Sequence, residues 1–444
     1  MRNLSKTKEK KGRRVHSALA QPKFRKVLGD IRVGTLRIGT RKLSVPGFMA
    51  ALNGPEDLNA LLMREIPRQE LHGVVVSQHY ADKIRLAWDE HDKEAIAQEG
   101  VKWRDFKKDR VILYDPIPEL FYLAKPNLRK RMSEMSGAPK HFFSQMANVA
   151  TSNHVSLWNE VLQNADYLAL LTWQMNLQNY SSVVTPLTPF IDGTPSSVTA
   201  NLEANKQSST ILRDILGVSN AFYFGINYGA FKTSAVTDTI FSGLYSHFQT
   251  NPKPDAIIVR IRNLPDPRKE DKAEKLEYFA GFLQSMGTIG SEFDIPLFLF
   301  NGGSYGLAAI EYGFCSFSER LNGNLHDPVD PPDPDEESPL IPKPKQYSTV
   351  YHPEQKINLV WEEYLELART KPYPAVEFSS APDPNDISPR SFRLCAKHYR
   401  IAARTAEIRK IIDGVEAGNP RGLAEEFQRG SKARNVEKIL KNPI

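Results

Sequence analysis

The stretch Gly73-Val-Val-Val-Ser77 is a continuous β-branched run opened by glycine and closed by a polar residue. A strand that is apolar on both faces is covered on both, as inside a parallel sheet flanked by helices. Comparable runs occur at Val111-Ile-Leu-Tyr114, 167–171, 183–191, Ala221-Phe-Tyr-Phe-Gly-Ile226, Ala256-Ile-Ile-Val-Arg-Ile261, Pro296-Leu-Phe-Leu-Phe300 and 315–317. Amphipathic segments such as 197–216 and 272–286 lie between them. Strands, about eight in number, alternating with helices predict an α/β fold in the form of a (β/α)8 barrel, with a doubly wound sheet as the competing arrangement. The barrel is preferred because no glycine-rich dinucleotide turn opens the first βα unit.

Upstream, Val33 to Phe48 holds two alternating segments separated by Gly39-Thr40, the pattern of a β-hairpin leading into a first strand. Leu58, Leu61 and Leu62 then mark a helix. Downstream, the stretch from Leu394 to about Val415 reads as a helix with Ile401, Ile408, Ile411 and Ile412 on its apolar face. The expected organisation is a basic, disordered arm at 1–26, the main part of the barrel at 27–324, an acidic proline-rich loop at 325–346 and a helical region at 347–444 packed on the barrel.

The 444 residues carry a net charge of +6, which by itself suggests a nucleic-acid partner. The excess is local, since residues 1–26 hold ten Lys or Arg against the single acid Glu9. Such an arm can lie along phosphates, or be a solvated terminus and nothing more. No apolar run is long enough for a membrane span and the amino terminus lacks a secretory h-region, so a cytoplasmic protein with no membrane partner is expected. Two cysteines, Cys315 and Cys395, exclude a disulfide framework. His398 stands three residues from Cys395 with no second pair at ligand spacing, so no metal and no cofactor are expected.

Carboxylates at strand ends are the candidates for chemistry. Asp115 follows Val111 to Tyr114, and Asp192 follows 183–191, so both belong at the carboxyl-terminal rim. Two such acids can divide labour as proton carrier and hydrogen-bond acceptor, although turn and helix-cap roles explain either one singly. Asn301-Gly-Gly-Ser304 sits between a strand and a helix, where Gly302 and Gly303 serve a phosphate, a sugar or a tight βα turn. Asn227 and Tyr228, between Gly225 and Gly229, suit the edge and face of a base, with barrel packing as the other reading.

The order of these motifs resembles the superfamily of tRNA-guanine and DNA-guanine transglycosylases. Gly34-Thr-Leu, Gly39 and Val45-Pro-Gly-Phe-Met49 resemble its G-x-L…G…T-P-x-F-M entry, and Ser77-Gln-His-Tyr80 stands where it has N-T-Y-H. Asp115 matches the aspartate that begins D-S-G-G-F-Q, Phe190-Ile-Asp-Gly-Thr-Pro195 resembles the strand ending in D-E-C-x-P, and Phe224-Gly-Ile-Asn-Tyr-Gly229 resembles F-G-I-V-Q-G. Leu299-Phe-Asn-Gly-Gly303, Ala308-Ala-Ile-Glu-Tyr-Gly313 with Phe317, and Ile408-Arg-Lys-Ile-Ile412 with Gly414 complete the series.

The resemblance implies a TIM barrel that exchanges guanine in DNA or tRNA for a 7-deazaguanine base through a covalent glycosyl–enzyme intermediate. It implies Asp115 as proton carrier and Asp192, Asn227, Tyr228, Gly302 and Gly303 around the base. Ser318 stands where the family's nucleophilic aspartate belongs, and neighbouring Glu319 is the substitute nucleophile, brought inward by a bulge. Pro116 to Leu120 replace S-G-G-F-Q, Val259-Arg-Ile-Arg262 replaces a glycine pair, and Val376 to Ser380 stand where three zinc cysteines are expected. The alternatives are a non-catalytic barrel of the same superfamily that binds nucleic acid, a partner subunit or a second copy of itself, and an unrelated hydrolase using Asp115 with Glu319.

Overall fold

A computed structural model describes residues 23–28, 31–38, 41–53, 55–62, 71–81, 84, 86–90, 110–116, 134–135, 137–143, 158, 160, 162, 165–178, 181–269, 271–321, 349–377, 379–385, 389–419 and 432–441. The expected loop at 325–346 and the first 22 residues of the expected arm lie outside them. The chain opens with an antiparallel sheet of β1 (Lys23–Leu28), β2 (Ile31–Ile38) and β3 (Arg41–Val45), so the hairpin read from sequence gains a preceding strand. Next come β4 (Gly47–Leu52), α1 (Pro55–Leu62), β5 (Leu71–Ser77) and β6 (Val111–Asp115). After α2 (Ala165–Leu177) and α3 (Pro195–Thr210), strands and helices alternate as β7 (Ala221–Asn227), α4 (Ala235–Thr250), β8 (Ala256–Arg262), α5 (Ala273–Phe293), β9 (Leu297–Phe300), α6 (Tyr305–Glu311) and β10 (Ser316–Arg320).

Strands β4 to β10 form one parallel, curled seven-stranded sheet in the order β6-β5-β4-β10-β9-β8-β7. Its inner face buries Met49, Ala51, Val75, Leu113, Tyr223, Ile258, Phe298 and Phe300 as one cluster, against which Leu36, Ile38 and Val45 of the hairpin pack. The alternate residues Phe48, Ala50, Val74, Ile112, Phe222, Val259 and Leu299 face outward into the larger core shared with the helices. This period-two division is what a double-faced apolar strand requires.

The sheet is open between β6 and β7. Segment 183–191, expected as a strand, makes only two isolated parallel bridges to the β7 side, Val184 with Asn220 and Ile191 with Ile226. Pro186 and Pro189 have no N–H to donate, so a regular ladder is impossible between the bridges. Two asparagines of α3 fill the gap. Asn205 accepts from the Tyr223 N–H at 2.6 Å and donates to the Tyr223 carbonyl at 3.0 Å, while Asn201 donates to the Pro189 carbonyl at 2.6 Å. On the other side the Ser182 N–H donates to the Ile112 carbonyl of β6 at 3.2 Å.

The other expected strand, 167–171, lies within helix α2. Its apolar run is one of alanine and leucine, which favour helix, and it buries Tyr167, Leu170, Leu171 and Trp173 in a second cluster with Phe142, Phe143 and Trp158. Beyond β10 come a small antiparallel pair, β11 (Val350–His352) and β12 (Ile357–Leu359), then α7 (Trp361–Thr370), α8 (Pro389–Glu416) and α9 (Arg434–Lys441). Helix α8 buries Ile401, Ile408 and Ile411 against the outside of the sheet, as its periodicity predicts. Among the described residues no helix is long and apolar enough to cross a membrane.

Candidate functional site

Asp115, the last residue of β6, lies on the inner face with a relative exposure of 2%. Its Oδ1 accepts a hydrogen bond from the Tyr223 hydroxyl of β7 at 2.7 Å, and its Oδ2 is in a short ion pair with Nη1 of Arg260 on β8. β6 and β7 are opposite edges of the open sheet, so these contacts cross its hollow. Arg260 is 1% exposed, so the guanidinium fills the space beside the carboxylate. An isolated buried carboxylate is strongly unfavourable, and Arg260 and Tyr223 give this one a counter-charge and a hydroxyl donor. A proton carrier needs access to substrate, and here the positions around Asp115 are taken by side chains of the protein.

Ser318 and Glu319 are separated by the pleat. Ser318 pairs in register with Met49 and Glu319 with Ala50, so Ser318 belongs to the inner face and Glu319 to the outer one. The β10 ladder with β4 runs without a bulge, so the expected inward swing of Glu319 does not occur. Instead, its Oε2 accepts from Arg404 Nε at 2.6 Å and its Oε1 from Asn358 Nδ2 at 3.2 Å, with Arg400 Nε 3.8 Å away. Arg404 continues to Glu407 at 2.9 Å and to the Tyr351 hydroxyl at 2.6 Å, and Lys356 reaches Glu407 at 3.0 Å. The neighbouring cations Lys356 and Arg404 hold the Glu407 carboxyl below its ordinary range against the desolvation that raises it. This buried network fastens α8 to the outside of β10 and β11. The Ser318 hydroxyl accepts from the Asn301 N–H at 2.9 Å.

Asp192 is exposed and turned toward its own chain. Its Oδ1 accepts from the Thr194 N–H, the Thr194 hydroxyl and the Ser197 hydroxyl, each at 2.8 Å, organising the turn that starts α3. Asn227 ends β7 on the inner face, and its Oδ1 accepts from the Gly229 N–H at 2.9 Å. Tyr228 is 2% exposed, with its ring edge-on to Phe279 and Lys275 Nζ 4.0 Å from its centroid. Burial, with Asp271 beside it, drives the phenol pKa far above its ordinary value. That ring belongs to the core between β7 and α5, and no face of it is open to a base. The glycines of the turn after β9 have local reasons. A Cβ on Gly302 would come within 2.7 Å of Leu299 Cδ2, and Gly303 holds φ at +53°.

No protein-family model and no curated protein sequence matches the chain.

The structure therefore brings Asp115 and Ser318 to the hollow of the sheet and Asn227 to its mouth. Asp192 lies on the rim, and Tyr228 and Glu319 lie in packed regions outside it. Arg260 and Tyr223 are the site residues that motif reading passed over. A signal for Arg260 was in the sequence: Val259-Arg-Ile-Arg262 puts arginine at alternate positions of an otherwise apolar strand, and so on one face of the sheet. His398, weighed as a metal ligand, bonds through Nδ1 to the Ala60 carbonyl at 3.1 Å. Among the described residues no three of His, Cys, Asp or Glu group as metal ligands.

Proposed function

We propose that this chain is a non-catalytic barrel of the guanine-transglycosylase type, binding nucleic acid at the carboxyl-terminal mouth of its sheet without exchanging a base. The observation that carries this reading is the occupied carboxylate: Asp115 is held by Arg260 and Tyr223 where a base would need it. The outward position of Glu319 supports it, because the covalent mechanism requires a carboxylate within reach of the sugar's anomeric carbon. The finer (β/α)8 topology is part of the proposal. Its support is segment 181–191, which bonds to both edges of the sheet as an irregular eighth stave.

Nucleic acid is the favoured partner because of the ten basic residues among the first 26. The test is fluorescence anisotropy with labelled single-stranded DNA and with tRNA across a salt series. Comparison is between the full chain and a chain lacking residues 1–22, which keeps β1 whole. Binding with a steep salt slope that becomes shallower on truncation is expected. Absence of binding to both polymers at low salt would refute the nucleic-acid role. Base incorporation dependent on Asp115 would restore the transglycosylase reading, with 7-deazaguanine and DNA or tRNA as substrates.

A further inference from the structure

We infer that Arg262 and Asn227 form a receptor for a single oxyanion, a phosphate group, at the mouth of the curled sheet. The two residues are direct register partners at the ends of β8 and β7. In a parallel ladder that puts their backbones about 4.8 Å apart with side chains on the same face. The face is the inner one, since Ile258 and Arg260 precede Arg262 on it and Tyr223 precedes Asn227. Ligands of open α/β sheets gather at the carboxyl ends of the strands, where both residues stand.

The two inner arginines of β8 differ in their partners. Arg260 is neutralised by Asp115 one layer down, whereas Arg262 is half-buried with no ion pair or hydrogen bond to any described residue, and its Nε is fully enclosed. A guanidinium partly removed from water without an acceptor is unfavourable, and a planar set of N–H donors is matched by a phosphate or carboxylate oxygen. Asn227 supplies a second donor in a fixed direction. Its Oδ1 is committed to the Gly229 N–H, so the amide cannot flip without losing that bond and its Nδ2 is turned away from it. Arg320, in the same layer on β10 through the pairing of β10 with β9 and of β9 with β8, adds to the positive potential.

Among the described residues, Asp192 is an acid on this rim, following Ile191, the bridge partner of Ile226. Its Oδ1 already accepts three hydrogen bonds from the turn that starts α3, which fixes the carboxylate in a capping role. It lowers the affinity for an anion without occupying Arg262. Taking the phosphate from a nucleic-acid backbone rests on the function proposed above; a free nucleotide presents the same chemistry.

The test uses the full chain and inorganic phosphate as the first probe, followed by calorimetry, with Arg262→Gln and Asn227→Ala as variants. Wild type is expected to bind phosphate. Arg262→Gln should weaken it about tenfold or more, the range of one charge-assisted hydrogen bond, and Asn227→Ala should weaken it less. Arg262→Lys keeps the charge and should fall between, which covers a glutamine variant that folds poorly. Asp192→Asn should tighten binding. Single-stranded DNA and a nucleoside monophosphate form the second arm. If the polymer is the source, Arg262→Gln weakens DNA binding alike for all sequences and reduces the salt slope by about 0.7. If the mononucleotide alone responds, the site stands and the polymer reading falls. Phosphate affinity equal in wild type, Arg262→Gln and Arg262→Lys, or no phosphate binding by wild type, overturns the inference even if DNA binds through the amino-terminal residues.

Discussion

Replacing Arg260 by methionine isolates the pair at the centre of the site. The guanidinium is 1% exposed and Asp115 2%, so the variant leaves an ionised carboxylate in the hollow with the Tyr223 hydroxyl as a remaining donor. Breaking a buried pair from one side costs about 3–5 kcal/mol, and the tyrosine hydrogen bond offsets about 1 kcal/mol of it. A net loss of about 2–4 kcal/mol is expected, read as a lower urea midpoint at unchanged slope. Asp115→Asn with Arg260→Met removes both charges and should recover at least about 2 kcal/mol of the sum of the single losses. Urea unfolding of wild type, the two single variants and the double variant closes this cycle. Additive losses, or an Arg260→Met loss below about 1 kcal/mol, would mean that Asp115 is not held by Arg260. The carboxylate would then be available for chemistry.

Two further outcomes follow from the same accounting of buried polar groups. Asn205→Leu strips the Tyr223 N–H and carbonyl of their shared partner at the open edge and should cost about 2–4 kcal/mol in the same assay, whereas Lys206→Ala on the exposed side of α3 should cost under about 0.5 kcal/mol. The second outcome concerns pH. Burial lowers the His72 pKa from 6.5 to about 3, so in that interval the unfolded chain binds the extra proton and stability falls as pH drops below 6.5. Burial raises Glu311 from 4.5 to about 7, so there the folded chain binds the extra proton and stability falls as pH rises through that interval. The two slopes oppose each other between pH 4.5 and 6.5. Relative to wild type, Glu311→Gln should gain stability as pH rises from 4.5 to 7, and His72→Gln should gain it as pH falls from 6.5. Parallel pH profiles for both variants and wild type would contradict the assignment.

Much of the sheet was legible because its strands are apolar on both faces. The runs at 73–77, 111–114, 221–226, 256–261 and 296–300 all fall within or overlap observed strands. The run at 167–171 was ambiguous for the same reason that made it visible: a short apolar stretch fits a buried strand or a buried helix, and alanine with leucine decides for the helix. At 183–191 the apolar run suggests a strand, but Pro186 and Pro189 lack the N–H groups that a regular ladder needs. The site was harder to read. Asp115 was placed correctly at a strand end, but its partners Tyr223 and Arg260 come from strands at the far edge of the sheet, and no local pattern reports such a contact. Glu319 follows from the pleat once Ser318 is known to face inward, so the period of two was a better guide than motif alignment.

The central claim is that the hollow of the sheet is closed to base exchange. It is tested most directly by incubating the full chain with radiolabelled guanine or a 7-deazaguanine base and with DNA or tRNA, beside Asp115→Ala. No incorporation above background is predicted for either chain on polymers that wild type binds. Incorporation by wild type that disappears in Asp115→Ala would contradict the account and make Asp115 a catalytic residue.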